Sequence, residues 1–84
     1  MTPIENIKIA LEKVKRTPGL AAKLADSAHV IDDVGLDSLE MMELMLELES
    51  SLDLSIDFDR LDFSCFDSIQ KFSEAITLMK RHDE

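Results

Sequence analysis

Three features of the sequence predict an all-α fold, a four-helix bundle with three longer helices, a short third helix and a long loop between the first and second. Apolar residues recur at steps of three and four in three separate stretches, as one face of a helix requires. Each of those stretches follows a helix-start signature, a Thr or Asp with Glu or Gln three residues later. No segment shows the strict apolar and polar alternation of a half-buried strand.

The first helix is expected over about residues 3–16. Thr2-Pro3-Ile4-Glu5 reads as its capping box, with proline in the first helical position. Ile4, Ile7, Leu11 and Val14 share one stripe, Lys15 and Arg16 suit the negative end of the helix dipole, and Thr17-Pro18-Gly19 stops the helix. From Gly19 to Gly35 no period persists. Leu20 to Ala25 suits a short helical piece, and Val30, Ile31 and Val34 suit anchors for a long tethered loop. Loops of that length in a compact domain tend to be functional or disordered.

The second helix is expected over about residues 38–52, opened by the capping box Asp37-Ser38-Leu39-Glu40 with Asp37 as N-cap. Residues 57–62 suit a short third helix. Asp67-Ser68-Ile69-Gln70 reads as another capping box, opening a fourth helix over about residues 68–80 with Ile69, Phe72, Ile76 and Met79 on one stripe and a frayed charged tail beyond. With 84 residues, the chain, residues 1–84, is expected to be a single domain. A chain so short buries roughly 60–65% of its unfolded surface, which leaves little core for a deep substrate pocket.

Charge narrows the partners. There are 18 acidic residues against 9 Lys and Arg, for a net charge of −9, and residues 32–62 alone hold eleven acids and one base. That sign repels nucleic-acid backbones and anionic lipid headgroups. A hydrophobic content of 45% still argues for a folded chain. Cys65, the single cysteine, cannot form an internal disulfide, and Met1 to Ala10 lacks the pattern of a signal peptide, so a cytoplasmic monomer without membrane insertion is expected. Asp57, Asp59 and Asp62 do not make an EF-hand, since loops starting at Asp53 or Asp57 lack the glycine at their sixth position. His29, Cys65 and His82 match no zinc spacing; His29 reads as an exposed loop residue and Cys65 as a buried thiol. No catalytic constellation emerges, so the protein is not expected to be an enzyme.

The second helix concentrates the signal. At 100° per residue, Met41, Leu44, Met45, Leu48 and Leu52 fall within an arc of roughly 100° that suffices for a core. Leu39, Met42 and Leu46 fall outside it, beside an acidic arc of Glu40, Glu43 and Glu47. The pattern admits two readings: either all these apolar residues are core and the glutamates a solvated face, or an apolar strip beside one sign of charge meets a basic partner. Ser38 stands where free backbone N–H groups and the helix dipole favour an attached phosphate, although a serine there is more often simply a first-turn residue.

Asp33-Val34-Gly35-Leu36-Asp37-Ser38-Leu39-Glu40, followed by Glu43-Leu44 and Leu48-Glu49, resembles the acyl carrier protein family, whose signature is a Gly-x-Asp-Ser-Leu turn opening an acidic second helix. The resemblance covers nearly the whole chain, including a long first loop, a short third helix and a fourth helix entered by Ser68-Ile69. It implies a four-helix bundle of acyl-carrier-protein type, and a phosphopantetheinyl transferase that moves 4'-phosphopantetheine from coenzyme A onto Ser38. The arm's thiol would carry an acyl or aminoacyl group as a thioester to loading and transfer enzymes with basic docking surfaces. The resemblance gives Asp37 a second role in transferase recognition, near its magnesium, and makes Leu39, Met42 and Leu46 with Glu40, Glu43 and Glu47 the partner-binding surface. Met41, Met42 and Met45, as flexible thioethers that adapt to variable shapes, could line a cavity sheltering an acyl chain, although methionines are more often ordinary core fillers.

Two departures bear on the cargo. Glu40 replaces a more usual Asp or Thr, and the aromatic stretch from Phe58-Asp59-Arg60 to Phe66 looks more like D-alanyl and other free-standing aminoacyl carriers. Together they imply a specialised biosynthetic pathway. On the residues alone a second class stays open, an unmodified acidic helical adaptor that binds a basic protein through the same helix. The two classes differ at Ser38.

Overall fold

The structure, a computed structural model, describes residues 3–56, 61 and 63–79. Its helices are α1 (Ile4–Lys15), α2 (Leu20–Lys23), α3 (Ser38–Leu52) and α4 (Ile69–Thr77), with a 3₁₀ turn over Phe63–Asp67 between the last two. No described helix is long and apolar enough to cross a membrane.

Helix α1 begins one residue later than the expected capping box implies. Pro3 is the N-cap rather than the first helical residue, no side chain among the described residues caps the helix, and the Pro3 carbonyl accepts from Ile7 N at 2.9 Å. Thr2 lies outside the described residues. The helix buries Ile7, Ala10 and Leu11, with Ile4 and Val14 partly covered. It ends on Arg16, whose φ of 53° is left-handed. Arg16 N donates to Lys13 O and Thr17 N to Glu12 O, both at 3.2 Å, the paired bonds of a Schellman turn. Glycine occupies this position without penalty, whereas another L-residue there costs about 1–2 kcal/mol. Arg16→Gly should therefore raise stability by about 0.5–1 kcal/mol after the greater freedom of glycine in the unfolded chain is subtracted. A higher urea midpoint at unchanged slope would show this, and a lower midpoint would contradict it.

Helix α1 packs against α2, α3 and α4. From α3 come Leu44, Met45 and Leu48, all buried, flanked by partly covered Met41 and Leu52, which is the arc expected to face the core. From α4 come Ile69, Phe72 and Ile76, with Met79 just beyond the helix. Phe66 of the 3₁₀ turn tilts against Phe72, their ring centres 5.3 Å apart.

The long loop is held by hydrogen bonds that its sequence does not announce. Val30 N donates to Phe66 O at 2.9 Å, Ile69 N to Ala28 O at 2.9 Å and Gln70 N to Asp26 O at 3.0 Å. Lys8 pairs with Asp26 at 2.7 Å. His29 is half-buried rather than exposed, because its ring organises the turn. Nδ1 accepts from Ile31 N at 3.1 Å and Asp32 N at 2.9 Å, while the His29 N–H donates to Asp33 Oδ2 at 2.7 Å. Two donors on Nδ1 leave the ring proton on Nε2.

The start of α4 differs from expectation by one residue. Ser68, not Asp67, is the N-cap, its Oγ accepting from Lys71 N at 3.0 Å. Asp67 closes the 3₁₀ turn, so the extended backbone that a cap needs falls on Ser68, with φ −152° and ψ 156°. The helix ends at Thr77, short of the expected residue 80, and Leu78 beyond it is exposed. The expected third helix over residues 57–62 lies, apart from half-buried Leu61, outside the described residues, as does the tail from residue 80.

Candidate functional site

The start of α3 is built from a glycine turn, a capping box and one lysine from another helix. Gly35 adopts a φ of +80°, which only glycine reaches without strain. Its N–H donates to Ile31 O at 2.7 Å, Leu36 N donates to the same carbonyl at 3.1 Å, and the buried Leu36 side chain roots the turn in the core. Asp37 follows in extended conformation as N-cap. Its Oδ1 accepts from Glu40 N at 2.8 Å and its N–H donates to Glu40 Oε1 at 3.1 Å, so the capping box read from the sequence is complete.

Ser38, the first residue of the helix, is exposed. The contrast with α4 is informative. There, loop carbonyls and the Ser68 side chain take up the N–H groups of Ile69, Gln70 and Lys71. At α3 the Asp37 side chain takes Glu40 N and the Asp37 carbonyl takes Met41 N, and the N–H groups of Ser38 and Leu39 have no acceptor among the described residues. Open N–H groups and the positive end of a helix dipole favour an anion, so a phosphodiester on Ser38 Oγ fits the site.

Along α3, Leu39, Met42 and Leu46 form an outward stripe at 65%, 63% and 63% exposure. Their second stripe is therefore surface and not core. Met42 cannot help line an interior cavity, which removes it from the expected acyl shelter; Met45 is buried and Met41 partly covered. The three glutamates differ in ways that the helical wheel could not register. Glu43 is exposed and has no ion pair among the described residues. Glu47 pairs with Lys13 at 3.1 Å, and Glu40 turns back to the capping box, where its Oε1 also receives Lys15 Nζ at 3.1 Å. Glu43, Leu46 and Glu47 share an open groove with Lys13, Val14 and Arg16 at the end of α1.

Lys15 is the neighbour of the Ser38 turn that sequence reasoning missed. It reads as a last-turn base suited to the helix dipole, and its tertiary contacts lie 20 and 25 residues away. No groups of three or more His, Cys, Asp or Glu among the described residues could hold a metal ion.

Residues 10–76 match the family model described as "Phosphopantetheine attachment site". A "Probable acyl carrier protein" of Caulobacter vibrioides is 36% identical over 58 residues, which are 69% of this chain and span only 64% of that relative's length. The solution structure of a holo acyl carrier protein from Nitrosomonas europaea superposes with a TM-score of 0.81 over 92% of this chain and 94% of that one. At 20% identity this likeness establishes the fold. A bundle of that fold, matched by that model over most of its length and with an open helix start at the Asp-Ser-Leu turn, belongs to the acyl carrier protein family, whose cofactor is covalently attached phosphopantetheine.

Proposed function

We propose that Ser38 is the attachment residue and that the protein carries an acyl or aminoacyl group between enzymes without catalysing a reaction itself. The exposed Ser38 hydroxyl at the start of α3, beside two N–H groups that have no acceptor among the described residues, carries this reading. When bound, the arm supplies a terminal thiol on which cargo is held as a thioester. The chain's own part is to present that hydroxyl on a rigid helix and to offer a docking face beside it. Asp37 holds the helix start and faces the transferase.

The docking face is the stripe Leu39, Met42 and Leu46 with Glu43 and Glu47, meeting basic surfaces on a phosphopantetheinyl transferase and on the loading and transfer enzymes. Glu40 contributes through the cap more than through direct contact. The protein works as a cytoplasmic monomer, where Cys65 stays a reduced buried thiol. The sequence departures at Glu40 and at Phe58-Asp59-Arg60, the latter outside the described residues, support a specialised pathway with aminoacyl cargo over general fatty-acid synthesis.

Intact-mass measurement after incubation with coenzyme A, magnesium and a broad-specificity transferase tests the attachment, with peptide mapping to find the residue. One added phosphopantetheine on Ser38 is the expected result. A folded protein that is not already modified and accepts none would favour the acidic adaptor instead. The docking face has its own test. Removing the exposed apolar contact in Met42→Ser should raise the half-saturating transferase concentration by about tenfold, the equivalent of about 1.4 kcal/mol, at an unchanged maximal rate. An unchanged half-saturating concentration would take Met42 out of the interface.

A further inference from the structure

We infer that Lys15 is a positioning residue for modification of Ser38, an inference that rests on Ser38 being the attachment residue. Its ammonium reaches from the last turn of α1 and donates to Gly35 O at 2.9 Å and to Glu40 Oε1 at 3.1 Å. These two acceptors bracket the segment that carries Ser38. Glu40 Oε1 also receives the Asp37 N–H, so one carboxylate oxygen joins α1 to the backbone immediately before the serine. Gly35 and Glu40 are thus held to a common point, and the Asp37-Ser38 turn spans the distance between them.

The anchor is itself fixed. Lys15 precedes the Schellman turn at Arg16, on the helix that packs against both α3 and α4. Its side chain is 25% exposed and that of Glu40 is 22% exposed, so the pair is shielded on most sides but not desolvated. Pairs of this kind contribute little to global stability, and the capping box supplies the local helix start. What remains for Lys15 is geometry: a reacting atom misplaced by about 1 Å can lose about a hundredfold in rate.

In the modification, Ser38 Oγ forms a bond to the phosphorus of coenzyme A that bears the pantetheine, and the pyrophosphate P–O bond breaks. Adenosine 3',5'-bisphosphate leaves, and the hydroxyl proton passes to a base of the transferase. Lys15 touches none of these atoms. It sets where Oγ stands when the transferase arrives.

The test uses the apo protein with coenzyme A, magnesium and excess phosphopantetheinyl transferase, following single turnovers by intact mass. Lys15→Met should lower the maximal single-turnover rate by about tenfold. The half-saturating transferase concentration should stay the same or fall, because losing a positive charge cannot weaken encounter with a basic partner. In amide hydrogen exchange of the same variant, Asp37 and Glu40 should exchange faster while Leu44 and Leu48 in the core keep their protection. Lys15→Arg, which retains charge and donors, should recover most of the rate.

A Lys15→Met protein modified on Ser38 at the wild-type maximal rate would overturn the inference, as would a loss confined to the half-saturating concentration. Faster exchange of core and cap amides together would also overturn it, reducing Lys15 to a general stabiliser; Lys15→Gln provides a milder change should Lys15→Met fold poorly. Wild-type protein modified at a residue other than Ser38 would instead remove the attachment reading, and this inference with it.

Discussion

Ser38→Ala is expected to accept no phosphopantetheine while unfolding within about 0.5 kcal/mol of the unsubstituted protein, the usual range for a surface change away from caps and core. The loss should be complete because alanine has no hydroxyl to esterify. The fold should survive because Ser38 is not the residue that caps α3. Asp37 is the N-cap, its carboxylate holding Glu40 N at 2.8 Å, and Glu40 closes the box from the other side. Alanine also has a higher helix propensity than serine, which offsets any small loss at the first position. Function and stability are therefore separable at this residue. Intact mass and urea denaturation of the same preparation check both halves. A modified Ser38→Ala protein would place the attachment elsewhere, and a large fall in the urea midpoint would mean that Ser38 supports the helix in a way the capping box does not replace.

Phe72→Ala should produce the largest loss of stability, about 3–5 kcal/mol. The ring is fully buried on α4 and tilts against Phe66 with centres 5.3 Å apart. For a chain of 84 residues, total stability is about 4–13 kcal/mol, so the substitution should remove a large share of it. The consequences reach the site indirectly. Phe66 O holds Val30 N, and the loop that begins there leads through Ile31 to the Gly35 turn before Ser38. Equilibrium urea unfolding followed by circular dichroism measures the effect, with Phe72→Leu, which leaves a smaller void, as the milder control expected to lose less than Phe72→Ala. A loss below about 1 kcal/mol for Phe72→Ala would mean that α4 is not packed as described.

Legibility followed the range of the interactions involved. The apolar stripes of α1, α3 and α4 were readable because helical periodicity depends on neighbours three and four residues away. The same periodicity puts Leu44, Met45 and Leu48 on a different arc from Leu39, Met42 and Leu46, but it left open whether the second arc is core, and only the structure shows the first three buried and the second three exposed. The Asp37 and Glu40 capping box was readable for the same reason. Where two candidate caps stood side by side, sequence failed: Asp67 and Ser68 have similar capping chemistry, and the 3₁₀ turn ending at Asp67 decided between them. His29 was misjudged because a ring nitrogen accepting two backbone N–H groups depends on the fold of its own loop.

By itself, then, the sequence determined the helical class, the faces that meet, the capped serine at the start of the acidic helix and, through that motif, the family. These are encoded within a turn or two of chain. Only the tertiary structure decided that Lys15 binds Gly35 O and Glu40, that Glu47 is paired with Lys13 while Glu43 is open, and that the long loop closes the start of α4. Those contacts join residues about 20 to 40 positions apart, and the packing of α1 against its neighbours brings them within hydrogen-bonding distance. No local pattern specifies such meetings, because the same side chains would be equally satisfied by water in any other arrangement.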